Sequence, residues 1–308
     1  MTRTTAFAAA ALLALGAKAA AQPARGTVAF RAGTAWVEIG TRHRTASADG
    51  ELVAAVSWRE TAPGVEYGEV DLRADPGGII VRAVLVRLRP DALAIALDAN
   101  VVGTHLEQWT IGTAGADALV SVNAGQFSET GPWGWVVHQG REIQRPAVGP
   151  LSMALVIDST GGAALLAPEE LARRRERSLP LEALQSYPAL LRGEAEVPPE
   201  VSGLAAGIDR GHRDARLAVG IDAEGRVLLV LTRAIVFGTV VGPLPVGFTV
   251  PEMAVVMKGL GARRAMLLDG GLSGQLAVNP TAGEPIRWRG LRSVPIGLVV
   301  RTREVADR

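Results

Sequence analysis

The segment AMLLDGGLSGQL, Ala265 to Leu276, ends an apolar run of strand character on a carboxylate, Asp269, then continues with Gly270, Gly271 and, two residues later, Ser273. A strand that delivers a carboxylate to the edge of a sheet puts it where ligands commonly bind, and such a group can act as a base, as a nucleophile or as a stabiliser of a cationic centre. The same residues also suit an ordinary turn: the aspartate caps it, the glycines supply positive φ, and the serine caps the next segment. Spacing alone leaves both readings open. A second cluster, SVNAGQFSETGPWGWVV, repeats the pattern, with Asn123 closing the apolar ALVSV and small residues Ala124 and Gly125 behind it. Trp133 and Trp135 offer ring faces that could stack on a sugar. Alternate strand residues face one side, so core packing is equally open to them, and one of the two is expected there. A third cluster, Arg210, His212, Arg213 and Arg216, precedes the strand-like LAVGI. A guanidinium fork matches a pair of phosphate oxygens, although most arginines are solvated surface groups. His43, His105, His138 and His212 are scattered and form no HxH or HExxH pattern, so no metal and no cofactor is expected.

These residues must be positioned by strands. Apolar or β-branched runs flank Pro90-Asp91, Gly140, Gly161-Gly162 and Ala223-Glu224-Gly225, and each pair reads as a hairpin. Two helices are expected, PEELARRRERS from Pro168 to Ser178 and TVPEMAVVMKGL from Thr249 to Leu260. The first has proline and acids in its first turn and arginines later. The second has a capping box, Thr249 with Glu252, and Gly261 to close it. It leads straight into the strand that ends on Asp269. The expected fold is α+β, a single domain with a mixed, largely antiparallel sheet and flanking helices. Arg192 to Gly203, RGEAEVPPEVSG, reads as an exposed linker.

The N-terminus differs in character from the rest. Arg3, the run AFAAAALLALGA and small residues at Ala19 and Ala21 make residues 1–21 an expected export signal, cleaved before a domain spanning residues 22–308. The mature chain would be periplasmic or secreted. Loss of the signal leaves 30 basic against 31 acidic residues, a balance that calls for neither a nucleic-acid nor an anionic-membrane partner. The absence of cysteine excludes disulfides, thiolate metal sites and a cysteine nucleophile. Ala234 to Pro251 carries no charge, but Pro243 and Pro245 would each break a helix, so a strand followed by a buried loop is expected and no membrane span.

In their order along the chain these blocks resemble the phosphodiester glycosidase family, the group that includes a lysosomal enzyme removing N-acetylglucosamine from a phosphodiester on mannose. The resemblance runs roughly from Gly64 to Val300. It is carried by VSVNAGQFSETGPWGWVVHQG, ALQSYPALLRG, ARLAVGIDAEGRVLLV and, most specifically, GFTVPEMAVVMKGLGARRAMLLDGGLSG. It implies catalytic roles for Asp269, Arg216 and Asn123. It implies substrate contacts for Gln185, Gly125, Gly270, Gly271, Ser273 and Trp133, on a sugar-phosphate or glycan substrate. Ala124, Gln126, Leu217-Ala218, Tyr187 and Leu272 depart from the family pattern, and Leu272 interrupts its triple glycine. The implied activity is hydrolysis of a sugar 1-phosphodiester. The alternative is a glycan-binding or envelope-polymer assembly protein that keeps the pocket without turnover.

Overall fold

The computed structural model describes residues 27–39, 48–75, 77–98, 101–102, 105–106, 108–128, 131–149, 151–202, 209, 211–242, 244 and 246–303. The expected export segment lies outside them, as do His43, Arg210, Pro243 and Pro245.

A ten-stranded sheet forms the middle layer. From one edge it runs Ala189–Leu191, Ala262–Leu268, Leu217–Asp222, Val227–Val236, Ile79–Leu88, Val65–Asp75, Thr27–Ala32 and Ala35–Glu38. Short strands Thr239–Val240 and Arg59–Ala62 pair beside this path. Two five-stranded sheets cover one face. One is centred on Glu182–Ser186, the other on Val120–Asn123, which lies between Leu276–Val278 and Gly297–Thr302. Helices Ala48–Ala55 and Val250–Gly259 pack on the opposite face.

Side-chain alternation explains the layering. Leu217 and Leu268, paired in register, enter the core shared with the five-stranded sheets, whereas their neighbours Ala218 and Leu267 enter the core beneath helix Val250–Gly259. Where the sheet is covered on both faces its strands read as nearly continuous apolar runs, as in Val227–Val236 and Ala262–Leu268, whereas Val65–Asp75 alternates polar with apolar residues.

All strand pairings among the described residues are antiparallel. This corrects the expected mixed sheet and the α+β class. The fold is β-rich with short helices. Three expected hairpins form, at Gly140, Gly161-Gly162 and Ala223-Glu224-Gly225. The fourth does not. The turn at Pro90-Asp91 carries the chain from Ile79–Leu88 in the large sheet to Leu93–Asp98, which pairs with Gly297–Thr302 across the core.

Both expected helices are present, as Pro168–Arg177 and Val250–Gly259, and the latter has the Thr249–Glu252 capping box. The expected linker is not a free one: it contains helix Pro199–Ser202, and Val201 is fully buried under the large sheet. No helix of the described residues is long and apolar enough to cross a membrane. The loop expected to be buried after Val227–Val236 instead exposes Leu244 and Val246.

Candidate active site

Asp269 directly follows Leu268, the last residue of strand Ala262–Leu268, and its backbone is fastened at two points. Its N–H donates to the Gly125 carbonyl at 3.0 Å. Its carbonyl accepts the Asn123 side-chain amide at 2.7 Å. The carboxyl itself is buried, and that desolvation pushes its pKa up to about 6, with the nearby negative charge of Asp214 pushing in the same direction. A hydrogen bond from Ser273 and the positive charge of Arg292 hold it lower than burial alone would. The Oδ2 oxygen is buried and has no hydrogen-bond partner among the described residues. A carboxylate oxygen left in that state is a ready acceptor for a water or hydroxyl proton.

Asn123 is fully buried, and both ends of its amide are engaged: Nδ2 by Asp269 and Oδ1 by the Gln275 N–H at 2.8 Å. The structure therefore makes it a positioning residue, which revises the catalytic part expected of it. Gln275 extends the framework. Its side chain accepts from Ile111 N–H at 2.9 Å and donates to the Arg292 carbonyl at 3.2 Å. One hydrogen-bonded chain thus sets the loop of Asp269 against the loop of Arg292. Replacing Asn123 with alanine strands a buried carbonyl and a buried N–H, and is expected to lower stability by about 2–4 kcal/mol. A urea midpoint unchanged in Asn123→Ala would refute that reading.

The three glycines lie where neighbouring protein leaves no room for a side chain. A Cβ on Gly270 would collide with the Ala215 carbonyl and stand 3.2 Å from Arg216 Cα. On Gly271, at φ 53°, it would meet an Asp214 carboxylate oxygen at 2.8 Å. On Gly125, at φ 72°, it would meet Leu184 at 2.8 Å. They admit neighbouring protein, and the close packing brings Asp214 and Arg216 to the loop that carries Asp269. Ser273 is buried and does reach Asp269.

Arg216 stands beside this loop, but its guanidinium faces carbonyls: Nε donates to Phe248 at 2.8 Å and Nη2 to His212 at 2.6 Å. Burial lowers its pKa from the usual value, while the charges of Asp214, Glu252 and Asp209 act the other way. Arg213 is held bidentately by Glu252 at 2.8 Å through each of two nitrogens. A further cation with open donors is Arg292, which is exposed, whose charge acts on Asp269 and whose guanidinium makes no hydrogen bond or ion pair among the described residues. The sequence reading missed it, and nothing local separates it from the other arginines of RWRGLRSV.

Arg233 was missed as well. It is 1% exposed, burial pulls its pKa down to about 10, and its guanidinium donates to the carbonyls of Thr232, Gly274 and Arg289. It therefore ties the Asp269 loop to the Arg292 loop from below.

Gln185 is not brought to Asp269. Its amide accepts from Trp135 N–H and Ala147 N–H and donates to the Ala147 carbonyl and the Ser152 hydroxyl, all at 2.8–3.0 Å. It lines a separate cleft of about 830 Å³ beside helix Pro168–Arg177, whose walls do not include Asp269. Of the two tryptophans, Trp135 is fully buried core. Trp133 is half-buried and packs against Tyr187, ring centres 4.5 Å apart. Gln126 Nε2 donates to both the Tyr187 and Leu268 carbonyls, at 3.3 and 3.4 Å, which links the backbone of Tyr187 to that of the residue preceding Asp269.

Comparison with known proteins bears on the family and the fold. A family model described as phosphodiester glycosidase matches residues 116–301, more than half of the chain. The catalytic domain of zebrafish N-acetylglucosamine-1-phosphodiester alpha-N-acetylglucosaminidase, auto-inhibited by its pro-peptide, superposes with a TM-score of 0.58 at 19% identity, over 80% of this chain and 88% of that one. A hypothetical protein from Synechocystis gives a TM-score of 0.55 at 16% identity, over 80% of this chain and 64% of that one, so this chain spans less than two thirds of its length. At such identities the likeness is one of fold. No curated protein matches the chain.

Proposed function

The chain belongs to the phosphodiester glycosidase family, and from that premise we propose that it is an exported hydrolase cleaving the C1–oxygen bond of a sugar 1-phosphodiester in cell-surface glycan. The observation that carries the reading is the buried Oδ2 of Asp269, without a hydrogen-bond partner among the described residues, together with the positive charge of the exposed Arg292 acting on the same carboxyl. Export is supported by the N-terminal run of residues 1–21.

The chemistry divides between these two groups. A sugar 1-phosphodiester departs as a phosphomonoester anion, a weak base that needs little help from a general acid. Its charge needs a cation, and Arg292 supplies one with donors to spare. A water molecule bonds to C1 as the C1–oxygen bond breaks, and the electron pair of that bond leaves with the phosphate. The proton lost by the water passes to Asp269, whose pKa near 6 suits a base working close to neutrality. The products are a free sugar and an intact phosphomonoester. Asn123, Gln275 and Arg233 hold the two loops in place, and Arg216 supports the segment against which Gly270 packs.

Hydrolysis in water labelled with heavy oxygen tests the bond assignment. The label is expected in the sugar hydroxyl and not in the phosphate. Label in the phosphate would mean phosphorus–oxygen cleavage and would end the glycosidase reading. One observation favours a binding protein without turnover: Leu272, 41% exposed, stands in the loop after Asp269 where the family has a third glycine. Saturable binding of the diester with no product released would select that alternative.

A further inference from the structure

The stretch Ala234 to Pro251 carries no charged residue, and the glycosidase reading gives it no role. It begins at the outer end of strand Val227–Val236, turns at a hairpin whose tip, Phe237, is fully exposed, and continues through a loop exposing Leu244 and Val246. Scattered exposed apolar residues are normal on a soluble protein. These are tied to one place. Arg233, at the root of the hairpin, bonds the carbonyls of Gly274 and Arg289, joining it to the Asp269 loop and to the loop of Arg292. At its other end the stretch reaches Phe248, whose N–H bonds the Asp214 carbonyl at 3.1 Å, and Asp214 packs on Gly271. Between these anchors the Leu291 N–H donates to the Leu272 carbonyl at 2.7 Å, which sets two more exposed leucines, 71% and 41% exposed, side by side. Arg292 follows Leu291 directly, and Arg289 lies two residues before it; both are exposed.

Exposed arginines next to two exposed leucines, beside the root of an uncharged hairpin that ends on Phe237, match an amphiphile, one whose phosphate meets the arginines while a hydrocarbon chain lies along the leucines toward Phe237. We infer that the substrate is a lipid-linked sugar phosphodiester, in which the alcohol on the far side of the phosphate is a long alkyl or prenyl chain. This rests on the glycosidase reading for the site, and the apolar rim then fixes the aglycone. A sugar or peptide alcohol on that side would find few polar partners along the same path. The departing product is a lipid phosphate, which the rim retains after the sugar has left.

The test uses the full mature chain and two pairs of probes. Binding is measured for methyl phosphate and dodecyl phosphate below its micelle concentration, and hydrolysis for the methyl and dodecyl diesters of N-acetylglucosamine 1-phosphate. Dodecyl phosphate is expected to bind roughly tenfold or more tighter than methyl phosphate, because the chain buries apolar surface that the methyl group does not. Phe237→Ser and Leu291→Ser should each lower that preference about threefold or more. Equal affinity for the two phosphates in the wild type, or a preference untouched by both substitutions, overturns the inference. So does a result in which the substitutions change only self-association or binding to phosphatidylcholine vesicles, which would make the rim a contact for another copy or for a bilayer. If neither diester is hydrolysed while the dodecyl preference holds and answers to the substitutions, the glycosidase reading fails and the lipid-phosphate site stands. If both diesters are hydrolysed equally well with no binding preference, the lipid inference fails and the glycosidase stands.

Discussion

Asp269→Asn is expected to lower turnover of a sugar 1-phosphodiester at least about a hundredfold while raising the melting temperature at neutral pH. The first half comes from the chemistry. Asparagine keeps the size of the side chain and an oxygen for the Ser273 bond, but it accepts no proton from water, and loss of an essential base typically costs on the order of 3 kcal/mol or more in the barrier. The second half comes from burial. The carboxyl titrates near pH 6 in the folded chain against an ordinary value of 3.8, so the folded state holds this proton more tightly than the unfolded state does. Stability therefore falls as pH rises from about 4 to about 6, and the full penalty applies above that.

That gap corresponds to roughly 3 kcal/mol as an upper bound, reduced by whatever solvent reaches the carboxylate. The asparagine variant escapes the penalty. Its advantage should be several degrees at pH 7–8 and vanish below about pH 4. Wild-type activity should in turn be lost as pH falls through about 6, where the base takes up its proton. Melting curves and rates at a series of pH values check both halves together. An aspartate that merely caps a turn gives the opposite pattern, with stability lost by about 1 kcal/mol and activity kept, and that outcome would remove Asp269 from the reaction.

Local patterns were legible in the sequence, and long-range ones were not. The capping box of Thr249 and Glu252 and the three true hairpins lie within a few residues of chain, where turn chemistry and helix caps decide the outcome. The placement of Asp269 at a sheet edge was legible for the same reason. The Pro90-Asp91 turn misled because a turn signal says that the chain reverses, not which strand it then pairs with. Gly270 and Gly271 were recognisable as positions that tolerate no side chain, but the Ala215 carbonyl and the Asp214 carboxylate that require this come from a segment more than fifty residues away. Gln185 and Asn123 carry the residue types that bind substrates, and only the fold shows their amides engaged by backbone. Arg292 and Arg233 gave no signal, since what separates them from the other arginines is an open donor set in one and complete burial in the other.

Arg292→Gln provides the sharpest separation between this arrangement and one built on Arg216. If Arg292 holds the departing phosphate, removing its charge should lower kcat/KM on the phosphodiester by about a hundredfold, the scale of losing one well-placed donor to developing negative charge. An aryl glycoside of the same sugar has no phosphate to hold, and its hydrolysis should change far less. The substitution also removes the positive charge that lowers the Asp269 pKa, so the carboxyl should titrate higher and the acid limb of the rate profile should move to higher pH. Stability should stay close to wild type, because the Arg292 side chain is exposed and Gln275 grips only its backbone carbonyl. Arg216→Gln should behave differently: its guanidinium bonds the carbonyls of Phe248 and His212 and is partly buried, so the chain should lose stability and its activity should fall on both substrates alike. A phosphodiester-specific loss in Arg216→Gln, with Arg292→Gln near wild type, would return the phosphate to Arg216 and leave Arg292 as a surface charge.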